Sequence, residues 1–323
     1  MTKKSVLILC MILAVVIVVC SITIYPDTYS PVYQNSTTTC TTRLYSSGRL
    51  ELYVSAGAVT SGLLTEIYAN YMDKVKVLYI SGSFKSIDKD VFSDFENLET
   101  VEIKAYYLKT IGDRAFKGCK KLNSIALPTS VTSIGESAFE GCLALRSFVI
   151  PTGVTEIEDG VFKDCTYLES ITVTATVKSI GARAFMNCSS LKQLTPLYNV
   201  ETIGEKAFAG CYNLPSLMVY DCIRSVGSQN FVACASMSYN EKDHNYYLGN
   251  KENPYLVYVK TDYTTYATCQ IAAETKAIVD NAFAGHNVAY YDGTMEEFKA
   301  IKPAYIGGSC TICCSDGDLV LED

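Results

Sequence analysis

The sequence predicts a repeat solenoid, mainly β, in which coils of about 23 residues stack through short parallel strands and are capped at both ends. Three observations carry that expectation. A phenylalanine recurs every 23 residues at Phe116, Phe139, Phe162, Phe185, Phe208 and Phe231, with Phe92 upstream at a spacing of 24. A cysteine follows three places after each of the six, at Cys119, Cys142, Cys165, Cys188, Cys211 and Cys234. Between these marks, apolar residues alternate with small polar ones at strand period. Arrays of this kind bind more often than they catalyse.

One unit, residues 123–145 (NSIALPTSVTSIGESAFEGCLAL), shows how each element arises. Leu122, Ile125 and Leu127 are apolar, and Ser124 and Ala126 alternate with the last two, which predicts a strand. Pro128 stops it, because proline offers no donor to a ladder. Val131 and Ile134 predict a second short strand. Gly135 lets the chain turn where a side chain would obstruct it. Ala138, Phe139, Cys142 and Leu145 close the coil on the core. The units at 100–122, 146–168, 169–191, 192–214 and 215–237 match this one closely. Residues 75–99 form a looser coil with Phe95 in the cysteine place. Pro196 falls where Leu127 sits, so the 192–214 strand is expected to be shortened or bulged.

The pattern LxxIxLPxxVxxIGxxAFxxCxxL resembles the BspA-like, treponema-type leucine-rich repeats. The likeness is tight over 100–237 and loose over 75–99, and it resumes at Ile278 to Phe283 with His286 in the cysteine place. Residues 288–301 resemble the family's closing YxGTxxxW segment, with Phe298 for Trp, and residues 45–60 resemble its opening hairpin. The resemblance implies leucine-rich-repeat coils on an exported surface protein that adheres to host, matrix or microbial partners. It implies no particular ligand.

Residues 6–24 are apolar apart from Ser21 and Thr23 and follow Lys3 and Lys4. They read as a signal peptide or an uncleaved anchor with its N-terminus in the cytoplasm. The expected organisation is therefore 1–25 signal or anchor, 26–74 linker and capping hairpin, and 75–237 repeats. Degenerate repeats with a Tyr-rich insertion follow at 238–285, and a C-terminal cap at 286–323. The localisation expected is cell-surface, membrane-anchored or secreted. Beyond residue 20 the chain holds 25 basic and 34 acidic side chains. That balance argues against nucleic acid, which demands clustered Lys and Arg.

Outward strand positions form the candidate binding face: Thr100, Glu102, Ser124, Ser147, Ser170, Thr172, Gln193 and Ser216, with Ala126, Val149, Thr195 and Met218 among them. This face is small, hydroxylated and poor in the Trp, Tyr and Arg anchors that dominate interfaces. It reads either as a crowded sheet edge or as a flat surface for an extended partner or glycan. A second outward row, Lys109, Thr110, Thr132, Ser133, Glu156, Lys178, Glu201 and Arg224, reads as solvated. The insertion carries Tyr239, Tyr246, Tyr247, Tyr255, Tyr258, Tyr263 and Tyr266, and reads as an aromatic plug or a binding loop.

The six ladder cysteines read as small buried thiols. Cys40, Cys222, Cys269, Cys310, Cys313 and Cys314 stand off register and are the disulfide candidates, their pairing open. Cys310, Cys313 and Cys314 lack a second ligand pair for zinc. His286 reads as core and His244 as surface. No catalytic or nucleotide-binding motif is present, so no cofactor, metal or small-molecule substrate is expected. Asn35 in Asn35–Ser36–Thr37 is the glycosylation candidate; Asn187 adjoins a ladder cysteine and is disfavoured. The expected partner is a protein or glycan on a host, matrix or neighbouring cell, plus the membrane if residues 6–24 remain. A self-associating surface-layer element is the alternative, and an enzyme the third reading.

Overall fold

The structure is a computed structural model that describes residues 31–242, 245–261, 269–280, 282–283, 286–303, 306 and 308–321. The apolar segment 6–24, His244, Tyr263 and Tyr266 lie outside the described residues. Among the described residues, no helix is long and apolar enough to cross a membrane.

The chain winds as a β-solenoid. Each regular coil supplies two short strands, and each strand pairs in parallel with its equivalent one coil away. Arg49–Val54, Val77–Gly82, Thr100–Lys104 and Ser124–Ile125 make the first ladder, which resumes as Ser147–Val149, Ser170–Thr172 and Gln193–Leu194. Ala58–Val59, Ser86–Ile87, Thr110–Ile111 and Ser133–Ile134 make the second. It resumes as Glu156–Ile157, Ser179–Ile180, Thr202–Ile203 and Ser225–Val226. Alternation places the side chains: in Ser147–Val149 only the middle residue, Phe148, is buried. The strand beside Pro196 spans only Gln193–Leu194, no shorter than Ser124–Ile125 in the unit with Leu127, and Leu197 bridges to Val219.

The core is a pair of columns. Phe92, Phe116, Phe139, Phe162, Phe185 and Phe208 are fully buried. Successive rings in that row stack with centroids 5.3–5.7 Å apart and planes within 16°. Phe231 departs from the expected row: it is half-buried and meets Tyr239 edge-on at 6.1 Å. Beside the rings, each ladder thiol donates to the phenylalanine carbonyl of the preceding coil. Cys119 reaches Phe92, Cys142 reaches Phe116 and Cys165 reaches Phe139 at 3.1–3.2 Å. Cys188, Cys211 and Cys234 repeat the contact with Phe162, Phe185 and Phe208 at 3.1–3.2 Å. Cysteine therefore supplies a small buried volume and a donor at once.

Both strand ladders break at one joint, between Ser133–Ile134 and Glu156–Ile157. The cause is local. Gly112, Gly135, Gly181, Gly204 and Gly227 each donate an amide to an isoleucine carbonyl of the preceding coil at 2.7–2.8 Å. A Cβ on Gly135 would lie 2.6 Å from the Asp113 amide nitrogen, and one on Gly181 2.6 Å from that of Asp159. Glu158 stands in this slot in its own coil, and the corresponding bond to Ile134 is absent. The opposite side of the joint stays closed. Ser137, Phe139 and Gly141 donate to Asp159, Val161 and Lys163 at 2.8–2.9 Å, and the Lys163 Nζ meets the Glu140 carboxylate at 2.8 Å.

Antiparallel strands cap the two ends of the parallel stack, and each cap finishes in an edge strand. At the front, Tyr33–Ser36 pairs with Cys40–Leu44, which pairs with Arg49–Val54. The opening antiparallel strands thus span 33–54 and share 45–54 with the hairpin expected at 45–60. Parallel stacking also starts at Arg49–Val54, one coil before residue 75. In that first coil the helix Thr65–Asn70 replaces the Phe and Cys segment, and Leu64 and Ile67 fill the core. At the rear, Cys269–Ile271, Val288–Tyr291 and Cys310–Cys314 continue in parallel and Gly317–Leu321 returns antiparallel. The helix Met295–Ile301 opens with a Thr294–Glu297 capping box and buries Phe298 against Tyr291.

Candidate binding face

The outward residues of the first ladder fall into rows across the coils. Arg49, Val77, Thr100 and Ser124 form one, Glu51, Tyr79 and Glu102 a second, and Tyr53, Ser81 and Lys104 a third. Past the joint, Ser147, Ser170 and Gln193 continue the first row and Val149 pairs with Thr172. The structure thus brings the predicted residues into register, except Ser216, which lies outside the strands, but divides them between two sheets. Ser124, Ser147, Thr172, Gln193 and Ser216 are exposed; Thr100, Glu102 and Ser170 are half-buried.

The face expected from the sequence starts at Thr100 and so carries no aromatic or arginine anchor. With the first coil included, the front of the face carries Arg49, Tyr53 and Tyr79. The Arg49 guanidinium lies over the Tyr79 ring at 5.4 Å and pairs with Glu51 at 3.0 Å, whose carboxylate also accepts from the Tyr45 hydroxyl at 3.2 Å. Lys104 pairs with Glu102 at 2.9 Å. Its ammonium pKa is raised, first by that hydrogen bond, with the Tyr79 and Tyr106 phenols adding.

The 24-residue spacing from Phe92 to Phe116 was the available signal. Val77 pairs with Thr100, 23 residues on, whereas Ser86 pairs with Thr110, 24 residues on. The extra residue therefore lies between these two strands of the 100–122 coil, in the segment that carries Tyr106 and Tyr107. These rings are 90% and 62% exposed, and Tyr53 is 56% exposed.

Other candidates resolve differently. In the insertion, Asn240–Lys242, Asn245–Leu248 and Val257–Thr261 form an antiparallel meander. Tyr247 and Tyr258 are buried there, and Tyr239, Tyr246 and Tyr255 pack against the core. The Tyr247 hydroxyl donates to the Gln270 carbonyl at 2.8 Å. The described tyrosines of the insertion therefore plug the array. In the second outward row, Lys178, Glu201 and Arg224 form exposed ion pairs at 3.4–3.5 Å. His286 is half-buried, with its amide on the Phe283 carbonyl at 2.8 Å as in the cysteine places.

Of the disulfide candidates, Cys40, Cys222, Cys310, Cys313 and Cys314 are free thiols, and the Cys269 Sγ lies 2.9 Å from the Tyr258 hydroxyl. Burial pushes the ladder thiols well above their ordinary pKa and Cys310 to about 11, which withholds the nucleophilic thiolate. Among the described residues, no group of three or more His, Cys, Asp or Glu could hold a metal ion. Asn35 is exposed on the edge strand Tyr33–Ser36 rather than in a linker. The Asn187 side-chain amide is taken by Asp164 at 2.7 Å, and its backbone is left-handed with φ 62°.

These features define a capped leucine-rich-repeat solenoid with an outward strand face. The chain belongs to the BspA type leucine-rich repeat family, whose model matches in six copies over residues 65–192 and 156–251, more than half of the chain. Repeats of this family serve protein interaction, and the family is one of cell-surface proteins. Among solved structures, the chain is similar to the T. pallidum leucine-rich repeat protein, at 21% identity over 64% of this chain and 91% of that one, TM-score 0.47. It is similar to a leucine-rich cell surface protein from Faecalibacterium prausnitzii at 18% identity, covering 84% and 98%, TM-score 0.38. A leucine-rich repeat protein from Eubacterium ventriosum is 16% identical, with 88% and 99% covered and TM-score 0.38. No curated protein matches the chain.

Proposed function

We propose that this chain is an exported cell-surface protein that adheres to a protein or glycan on a host, matrix or neighbouring cell through its first strand face. The observation that supports this most is the in-register row of outward side chains, backed by a core that repeats from coil to coil. Such rigid, extended surfaces suit recognition. Residues 1–25 would serve as signal or anchor, and the folded array would stand outside the cell. The full chain should bind cells or matrix saturably and remain monomeric by light scattering. A monomer with no cell, matrix or glycan binding sinks this reading.

One observation favours the alternative, a self-associating surface element. The same face ends in open antiparallel strands, Tyr33–Ser36 and Gly317–Leu321, the latter with Val320 61% exposed. Mass that rises with concentration in the same light-scattering experiment would select it.

A further inference from the structure

We propose that the joint between the coils at 123–145 and 146–168 is a one-sided hinge that acidification draws shut, so that the two sheets of the strand face change their mutual angle with pH. The inference concerns the array itself and holds whatever the face binds.

Missing contacts on one side are the first argument. Neither strand ladder crosses the joint, and the Glu158 amide makes no bond to Ile134. A further link between coils is lost at the same place. In the turns between strands, Ser130, Thr176 and Asn199 donate to carbonyls of the preceding coil at 2.7–2.9 Å, and the Cys222 thiol does so at 3.3 Å. Gly153 holds that position in the 146–168 coil and has no side chain to donate. The other side keeps the amide bonds of Ser137, Phe139 and Gly141, the stacked rings of Phe139 and Phe162, and the Lys117–Glu140–Lys163 clamp. A stack closed along one line and open along the opposite one bends about the closed line.

Charge on the open side is the second. Glu158 is half-buried and, among the described residues, has neither a hydrogen bond nor an ion pair. Its carboxyl is pushed above the ordinary 4.5, first by burial and then by Glu156, Asp159, Asp113 and Glu136. Glu156 and Asp159 belong to its own coil, Glu136 to the preceding one and Asp113 to the one before that. The cations around the joint are committed elsewhere. Arg114 pairs with Asp90, Lys117 and Lys163 with Glu140, and Lys178 with Glu201. Arg183 on the following coil acts on Glu205, and Lys109, two coils ahead in the outward row, is exposed. The Cβ of residue 158 sets a least separation, as the clearances at Gly135 and Gly181 show; repulsion among the carboxylates widens the gap beyond it.

The two sides of the joint therefore respond to different pH ranges. A raised carboxyl costs most when ionised, above its folded pKa, and that cost is gone once the pH falls below 4.5. Glu140 titrates only near 2, so the clamp stays charged while the open side is relieved.

The test uses the full chain with nitroxides on ketone-bearing unnatural side chains, because the native thiols rule out cysteine labelling. A pair at Lys85 and Thr155 straddles the joint, and a pair at Thr155 and Arg224 spans as many coils behind it; all three positions are exposed. Electron–electron distance measurement should show the straddling pair shift to shorter and narrower distances between neutral pH and pH 4.5, with the second pair unchanged. Glu158→Gln should give the short distribution already at neutral pH, with a Tm no lower than that of the wild type. A straddling pair indifferent to pH overturns the inference. So does an equal change in the second pair, or a Glu158→Gln variant that responds to pH as the wild type does.

Discussion

On the front side of the joint, three of the four parallel first strands run five or six residues and present Arg49, Glu51, Tyr53, Tyr79, Glu102 and Lys104, and the fourth, Ser124–Ile125, runs two. Behind it, the equivalent strands run two or three residues and present Ser147, Ser170, Thr172 and Gln193. Inside, the two sides are alike: the phenylalanine stack crosses the joint from Phe139 to Phe162 at 5.7 Å, and Cys165 reaches back to the Phe139 carbonyl. Coil-to-coil cohesion is thus uniform in the interior, while the exterior differs by position. A repeat can hold its stacking contacts constant and still vary its recognition surface, because alternate strand residues face opposite sides.

The largest expected effect tests that uniformity. Phe116→Ala and Phe162→Ala, one on each side, should each cost about 3–5 kcal/mol in urea unfolding, since each ring is fully buried between two others. Costs that differ by more than about 2 kcal/mol would show that the halves are not equivalent inside.

A smaller effect tests the joint itself. Glu158→Gly should let the strands close and restore the amide bond to Ile134. The new hydrogen bond and the backbone entropy of glycine nearly offset, so the net gain should stay below about 1 kcal/mol. The clearer readout is hydrogen exchange, in which the residue-158 amide should become protected like that of Gly181. Unchanged exchange would mean that something other than the side chain parts the ladder.

The smallest effect concerns the clamp that keeps the other side shut. Glu140 sits between Lys117 at 3.0 Å and Lys163 at 2.8 Å. Burial opposes its charge, but hydrogen bonds from Lys163, Lys117 and Ser137 prevail and lower its pKa from 4.5 to about 2. A depressed carboxylate stabilises the fold above its unfolded pKa, and that contribution fades as pH falls from about 4.5 towards 2. The Tm advantage of wild type over Glu140→Gln should therefore be full at neutral pH and shrink across that window. A gap that widens on acidification would reverse the assignment.

The fold was legible because Phe and Cys recur at one spacing, and a stack must align what recurs. The first coil was hidden because a helix with Leu64 and Ile67 fills the space that Phe and Cys fill elsewhere. Its strand alternation, Arg49 to Val54, was readable but lacked the period that would have joined it to the array. The hydroxylated part of the face was legible from alternation alone. The aromatic part was not, since Tyr53 and Tyr79 become neighbours only through pairing of that first coil with the second. The state of the off-register cysteines depends on distances between segments remote in sequence, which spacing does not encode.

The repeated glycine-to-isoleucine bond carries a consequence for how such a chain diversifies. Five junctions, at Gly112, Gly135, Gly181, Gly204 and Gly227, use the same donor and acceptor, so a cut at equivalent points on two of these coils can be rejoined without a misfit. Recombination between near-identical gene segments can then add or delete whole coils. Overall reach would change in steps of about 4.8 Å per coil, with the end pieces and the tyrosine-bearing tip left as they are.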